Sequence, residues 1–332
     1  EKEIQERFYK DLEFGTGGLR GILGAGTNRM NVYTVKKATQ GLAEFIKSRG
    51  EEAMARGVVI SYDCRIQSDT FAAQAAATLA ANGIRVQLSS RLRPVPELSF
   101  AVRHFGAEAG IMITASHNPP KYNGYKVYGD DGGQLPPEAA DVVLGFIEQS
   151  DIFTGVKTMD LSEAISSGLV SVFGDEVDDA FLDQVIRQQV NPEAIQVVKK
   201  DFTMLYTPLH GSGNIPVRRI LERIGVEHLE LVPQQVEPDG NFPTVKSPNP
   251  EEKSAFDLAI ALAQEKGINL IVGTDPDSDR IGVVVRDHQG QYQCLTGNMV
   301  GALLTNYILA GKSLEGTLPK NGVVIKTVVT SH

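Results

Sequence analysis

Apolar positions in this chain fall into short β-branched runs separated by longer stretches with helical spacing. Val58-Val59-Ile60-Ser61-Tyr62, Ile84-Arg85-Val86-Gln87-Leu88 and Gly110-Ile111-Met112-Ile113-Thr114 read as strands. Between them, residues 71–82 form an alanine-rich helical run closed by Gly83, a C-terminal stop signal, and residues 95–105 form a second helix. This β-α-β-α-β rhythm predicts a largely parallel sheet covered by helices. Residues 151–175 are polar and aperiodic and are expected to be irregular. A helix over 178–189 then leads through Asn191-Pro192 into a second alternating region. Strands are expected there over 202–206, 229–232, 270–272 and 281–285, with helices around 216–224 and 251–266. Near Gly297 a third unit begins, with a helix over 300–310 and a strand over 323–329. One helix and one strand cannot bury a core alone, so this unit either packs on the second or is incomplete. The expected fold class is α/β, with consecutive domains over 1–190, 191–296 and 297–332, each built on a mainly parallel mixed sheet covered by helices. No exact repeat is visible beyond the recurring rhythm.

At 332 residues the chain exceeds one ordinary core, so two or three domains are expected. With 42% apolar and 22% charged residues it is globular, not disordered. A net charge of −9 argues against a nucleic-acid platform, whose footprint would be basic. It leaves room for an anionic small substrate, because a few arginines can reverse the field inside a cleft. Cys64 and Cys294 are too few and too far apart for a disulfide framework or a zinc site. They are expected to be buried small apolar residues in a reducing compartment. The start, Glu1-Lys2-Glu3-Ile4-Gln5-Glu6-Arg7, has no apolar core of a signal peptide, and no run of about 18 apolar residues could span a membrane. A cytoplasmic protein without nucleic-acid or membrane partners is the resulting expectation, and no feature sets an oligomeric state.

Three motifs carry chemistry. Thr114-Ala115-Ser116-His117-Asn118-Pro119-Pro120-Lys121-Tyr122-Asn123-Gly124-Tyr125-Lys126 follows an apolar strand, which places Ser116 where ligands bind in open α/β sheets. Pro119 and Pro120 stiffen the loop. A plain solvated turn is one reading. A serine hydrolase is a second, but Thr114 and Asn118 stand where Gly-x-Ser-x-Gly needs glycine, and His117 is the immediate chain neighbour of Ser116. Phosphoryl transfer through Ser116, with His117 and Lys126 close by, is the third. The next motif, Gly273-Thr274-Asp275-Pro276-Asp277-Ser278-Asp279-Arg280, puts three carboxylates at i, i+2 and i+4 after a strand. That is a hard oxygen site suited to Mg²⁺ or Ca²⁺. It is not an EF-hand, because Arg280 and Arg286 occupy the positions that need glycine and glutamate. Arg280, directly after the triplet, favours a site that also grips phosphate. In the last motif, Glu13-Phe14-Gly15-Thr16-Gly17-Gly18-Leu19-Arg20-Gly21, glycines would let backbone approach an anion while Arg20 supplies a bidentate charge. It fits neither a P-loop nor Gly-x-Gly-x-x-Gly. Asp63 with Arg65 is expected to be a structural ion pair, His210 structural, and Pro208-Leu209-His210-Gly211-Ser212-Gly213 an anion-friendly loop.

Together these motifs, in this order, resemble the α-D-phosphohexomutase superfamily of phosphoglucomutases and phosphomannomutases. The extended glycine motif and Tyr206-Thr207-Pro208-Leu209-His210-Gly211 look most like the branch that includes phosphopentomutases. The resemblance implies that Ser116 is carried as a phosphoserine and that Asp275, Asp277 and Asp279, with an oxygen on Ser116, hold Mg²⁺. It further implies that Arg20, Arg280 and His117 contact phosphate; Lys126 is expected to take the sugar hydroxyl's proton, its pKa depressed by the cationic metal site nearby. Ser116, Lys126 and His117 would then surround the reacting atoms. The implied reaction moves a phosphoryl group between the 1- and 6-positions of a hexose phosphate, glucose foremost, through a sugar 1,6-bisphosphate that also serves as activator. Alternatives are a phosphomannomutase or phosphopentomutase, a metal-dependent phosphatase, or an inactive fragment that only binds sugar phosphate. The family has four domains, with Glu-x-Ser-Gly in the third and Arg-x-Ser-Gly-Thr in the fourth, and neither occurs here. The resemblance therefore implies domains I and II, the start of domain III near Lys326-Thr327-Val328-Val329-Thr330, and no domain IV.

Overall fold

The computed structural model describes residues 1–15 and 17–327; Thr16 of the glycine motif and residues 328–332 lie outside them. The first part of the chain runs α1 (Lys2–Phe8), β1 (Gly18–Ile22), α2 (Val32–Ser48), α3 (Glu51–Arg56), β2 (Val58–Tyr62), α4 (Ser68–Ala81), β3 (Val86–Ser89), α5 (Val95–Phe105), β4 (Ala109–Ile113), β5 (Tyr122–Gly129), α6 (Pro137–Gln149), α7 (Leu161–Ser166), β6 (Val170–Phe173) and α8 (Asp175–Ile186). Its six strands form one sheet in the order β1-β5-β4-β2-β3-β6. The pairs β4–β2, β2–β3 and β3–β6 are parallel, whereas β5 runs antiparallel to both β1 and β4. Alternation along the strands buries both faces. Val58 and Ile60 of β2, with Ile111 and Ile113 of β4, pack under α2 and α4. Val59 and Met112, between them, pack under α5 beside Leu98 and Val102. Each such side chain contributes about 1.5–3 kcal/mol when fully buried.

The second part runs α9 (Glu193–Val198), β7 (Thr203–Thr207), α10 (Asn214–Arg223), β8 (His228–Leu231), α11 (Asp257–Lys266), β9 (Leu270–Thr274), β10 (Ile281–Arg286), β11 (Tyr292–Leu295) and α12 (Gly297–Leu314). Its sheet has the order β11-β10-β9-β7-β8, parallel at β9–β7 and β7–β8 and antiparallel at β10. The two sheets repeat one scheme: β5-β4-β2-β3 in the first matches β10-β9-β7-β8 in the second. Each scheme is a parallel β-α-β-α-β unit whose third strand turns back into an antiparallel neighbour. The sequence shows the rhythm but not this repeat, because topology can recur without residue identity.

Several expectations need correction. Residues 151–175 are not wholly irregular: they contain α7 and the four-residue edge strand β6. Such a short edge leaves too few alternations to read. Strands β1 and β5 were not expected, because Gly18, Gly21, Asn123, Gly124 and Lys126 mask their period. Over Val323–Thr327 no strand forms, and Val328 and Val329 lie outside the described residues. Val323, Val324 and Ile325 are exposed there, with no ladder partner among the described residues. Cys64 and Cys294 are free thiols but only partly buried. Among the described residues, no helix is long and apolar enough to cross a membrane.

Candidate active site

The equivalent turns of the two repeats face each other. In the first, β4 passes to β5 through residues 114–121, which hold Ser116; in the second, β9 passes to β10 through 275–280, which hold the aspartates. Ser116 adopts a left-handed backbone, φ +51°, and so does Ser278 of the facing turn, φ +54°. L-residues rarely adopt this conformation unless surrounding structure enforces it, and such strain clusters at functional sites. At Ser116 the enforcement begins with Thr114, whose hydroxyl accepts the Ser116 amide at 2.9 Å.

Ser116 Oγ donates to Asp275 Oδ2 at 2.8 Å and lies 3.1 Å from His117 Nδ1. With His117 in its Nε2–H tautomer, two acceptors are within reach of that proton, although the sequence makes the neighbouring histidine look poorly placed. Asp277 Oδ2 accepts from Lys126 Nζ at 3.0 Å and from Thr114 Oγ1 at 3.1 Å; Lys126 Nζ also lies 3.8 Å from Asp279 Oδ2. Arg280 donates its amide to Asp275 Oδ1 at 3.0 Å, while its guanidinium lies 3.5 Å from Glu251. Arg20, on β1, reaches Asn118 Oδ1 at 3.4 Å. The structure thus brings together Ser116, His117, Lys126, Arg20, Arg280 and all three aspartates.

The charges are unbalanced. Burial, and then the Asp277 carboxylate beside it, push Asp275 up to about 9. Asp279 is raised by the same two causes. Burial pushes Asp277 up, but Lys126 together with hydrogen bonds from Asp275 and Thr114 holds it below the usual carboxylate range. Lys126 in turn is raised: burial pulls it down, but Asp277 and Asp279 hold its charge. This direction runs against the expected depression of Lys126. His117 is lowered by burial, then by Arg280 and Arg20, so its imidazole is neutral at pH 7.

One ligand oxygen from each aspartate fits within a 4.8 Å cluster. Asp277 Oδ1 is buried without a hydrogen-bond partner. A buried carboxylate oxygen left unpaired is costly, and Asp279 stays raised although Lys126, Arg280 and Arg20 all pull it down. The all-oxygen donor set therefore fits a hard divalent cation.

Family models for phosphoglucomutase/phosphomannomutase alpha/beta/alpha domains I and II match residues 11–152 and 179–290. The chain belongs to the phosphoglucomutase/phosphomannomutase family. It is similar to the phosphoglucomutase of Staphylococcus haemolyticus, with 38% identity over 328 residues, covering 99% of this chain and 58% of that protein. The Staphylococcus epidermidis phosphoglucomutase is 39% identical over 329 residues, with the same two coverages. A solved Thermus thermophilus protein, provisionally described as a phosphomannomutase, aligns with a TM-score of 0.68 at 26% identity, covering 83% of this chain and 57% of that one. The chain thus spans less than two thirds of the length of these family relatives.

Sequence reasoning missed several supports of this family site. Thr114 was read only as part of a motif, yet its hydroxyl touches both the serine turn and the aspartate turn. Val95, the first residue of α5, donates its amide to the Asp277 carbonyl at 2.8 Å. Ser212 spends both amide and hydroxyl on the Pro276 carbonyl, at 2.8 Å each, so the 208–213 loop buttresses the aspartates instead of offering itself to an anion. A Cβ on Gly211 would meet Pro276 Cα at 2.5 Å, which explains the glycine. His210 is structural, held by Thr244 Oγ1 at 2.8 Å and the Glu237 carbonyl at 3.2 Å. No local sequence signal could announce Thr114 or Val95, since their partners lie about 160 to 180 residues away in the chain.

Proposed function

We propose that this chain carries the phosphoryl-transfer centre of a phosphosugar mutase. It would move a phosphoryl group between the 1- and 6-positions of a hexose phosphate, with glucose favoured by the names of its Staphylococcus relatives. The observation that carries the reading is Ser116 Oγ, 2.8 Å from Asp275 at the edge of the aspartate cluster with its orphaned Asp277 oxygen. Asp275, Asp277 and Asp279, with an oxygen on Ser116, would hold Mg²⁺. Bound there, the ion would neutralise charge on the transferring group.

In the forward half-reaction the sugar hydroxyl attacks the phosphorus carried on Ser116. The new sugar O–P bond forms as the Ser116 Oγ–P bond breaks; Lys126, neutral where a bound cation would offset the Asp277 and Asp279 charge that holds its proton, would take the hydroxyl proton and give it up, so that it ends on the departing Ser116 Oγ. The resulting sugar 1,6-bisphosphate turns over and returns its other phosphoryl group to Ser116 Oγ. The serine proton then passes by way of the neutral His117 imidazole, 3.1 Å away, to the departing sugar oxygen. Arg20 and Arg280 would clamp phosphoryl oxygens through the loose transition state. Positioning and charge handling supply the rate, so the carbon chemistry asks little of the protein.

Intact-protein mass spectrometry before and after incubation with hexose 1,6-bisphosphate and Mg²⁺ tests this directly. A gain of about 80 Da, absent in Ser116→Ala, is expected. Unchanged mass in the wild type, starting from unphosphorylated protein, would reject Ser116 as acceptor in this chain. Release of inorganic phosphate without mutase product would favour a phosphatase.

A further inference from the structure

Arg65 belongs to none of the three motifs, and pairing it with Asp63 accounts for little of what it touches. Its side chain is fully buried, with Nε 3.5 Å from Asp63 Oδ2 but not hydrogen-bonded. Nη1 donates to the carbonyls of Pro119 at 3.1 Å and Tyr122 at 3.0 Å. Nη2 donates to the Ser116 carbonyl at 2.6 Å and to the Asn118 carbonyl. Three carbonyls of the turn that carries Ser116, and that of Tyr122 where β5 begins, therefore converge on one guanidinium. From the other repeat, the ring of Phe242 covers that guanidinium, its centroid 5.0 Å from Cζ. Phe242 is buried and strained, with φ +47°. Its turn packs directly on the Arg65 segment: a Cβ on Gly240 would meet Ile66 N at 2.6 Å and Cys64 O at 2.8 Å.

We propose that Arg65 is a positioning residue for phosphoryl transfer at Ser116, and that Phe242 locks it from the second repeat. The inference rests on the reading of Ser116 as phosphoryl acceptor. A planar fork with five donors can satisfy several carbonyls at fixed angles, which a lysine point charge cannot. By gathering the carbonyls inward, Arg65 holds the left-handed turn that aims Oγ at Asp275. The Phe242 contact makes that turn sensitive to how closely the two repeats approach. In the step concerned, a bisphosphate sugar O–P bond breaks as Ser116 Oγ–P forms, and the serine proton ends on the departing sugar oxygen.

The test compares wild type, Arg65→Lys and Phe242→Leu in three measurements. These are single-turnover phosphorylation by hexose 1,6-bisphosphate with Mg²⁺, amide hydrogen exchange, and Mn²⁺ affinity. Misplacing a reacting atom by about 1 Å slows transfer about 100-fold, so Arg65→Lys is expected to lose about that factor and Phe242→Leu about 10-fold. Faster exchange is expected only over residues 114–122. Mn²⁺ affinity should fall by no more than about tenfold, because the three aspartates sit on the other turn and only the Ser116 oxygen among the proposed ligands is displaced. Transfer at the wild-type rate in both variants would overturn the proposal. So would exchange rising across the whole first sheet together with lost Mn²⁺ affinity, the mark of a merely structural role. If Arg65→Lys fails to fold, Phe242→Leu carries the same comparison. A wild type that accepts no phosphoryl group would overturn the Ser116 reading itself, and the proposal with it; a normal wild type with unaffected variants overturns Arg65 alone.

Discussion

Thr114 shows how one hydroxyl can hold the serine turn and the aspartate turn in register. It accepts the Ser116 amide, lies 2.7 Å from Asp63 Oδ2 and 3.1 Å from Asp277 Oδ2, and is fully buried. A single hydroxyl proton serves one carboxylate at a time, so Thr114 links Asp63 of the first repeat to Asp277 of the second. Replacing Thr114 by Val keeps the shape but strands the Ser116 amide and removes that link. Leaving a buried donor unsatisfied should destabilise the chain by about 1–3 kcal/mol. Thr114→Ser, which loses only a methyl group, should cost about 0.8 kcal/mol. Denaturant unfolding of both variants measures this, and a Thr114→Val variant as stable as wild type beside a weakened Thr114→Ser would mean that the methyl group, not the hydroxyl, matters. The aspartate triplet and Ser116 were legible because each motif is local in sequence. Thr114 and Arg65 were not, because their importance lies in who meets them across the fold.

The same distinction separates the elements. Helix α5 was read at its observed bounds from its amphipathic spacing, and β2 from its β-branched run. Strands β1 and β5 escaped because their glycines answer to close approach: a Cβ on Gly124 would meet the Thr114 carbonyl at 2.4 Å. What α5 and α8 share was also invisible. Arg93 Nε donates to Glu97 Oε1 at 2.9 Å on α5 and to Asp178 Oδ1 at 2.6 Å on α8. Asp178 is also gripped by Arg91 and lies 3.6 Å from Arg219 of α10, so this cluster fastens the two repeats together. Burial, then the neighbouring Asp178 carboxylate, push Glu97 up to about 8, whereas Asp178 is held low by Glu97 and the arginines despite its burial. A raised carboxylate contributes stability that is full below its unfolded pKa and is lost as pH rises through its folded one. Wild type should therefore lose stability between about pH 4.3 and 8 relative to Glu97→Gln. Thermal midpoints at pH 6 and pH 9 should show the variant gaining on wild type by about 5–10 °C, roughly 2.7 kcal/mol for the two pH units lost below the folded pKa of about 8. A gap that is flat or shrinks with pH would remove Glu97 as the titrating group.

At the scale of the molecule, the repeated scheme places the serine turn and the aspartate turn as equivalent connections of the two sheets. Ser116–Asp275, Thr114–Asp277, Lys126–Asp277 and the Val95 amide all cross between the repeats at this one point. A cation held by the three aspartates and Ser116 would therefore fasten the repeats as well as serve the reaction. Ligand that binds only the folded state stabilises it by about 2.7 kcal/mol at 100 times its dissociation constant. Mg²⁺ should thus raise the thermal midpoint above that in EDTA, and Asp277→Asn should abolish the rise. The pH dependence has a definite sign. Without metal, Asp275 titrates near 9, so its contribution to stability is full below the ordinary carboxylate pKa and fades as pH climbs toward 9. Metal binding must displace that proton, so apparent affinity should strengthen by up to about tenfold per pH unit in this window. The stabilisation by a fixed Mg²⁺ concentration should consequently be larger at pH 8 than at pH 6. Titration calorimetry in buffers of different ionisation enthalpy should show about one proton released per ion bound near pH 7. A midpoint indifferent to Mg²⁺ at both pH values, or a shift that survives in Asp277→Asn, would place the metal elsewhere and leave the orphaned Asp277 oxygen without an explanation.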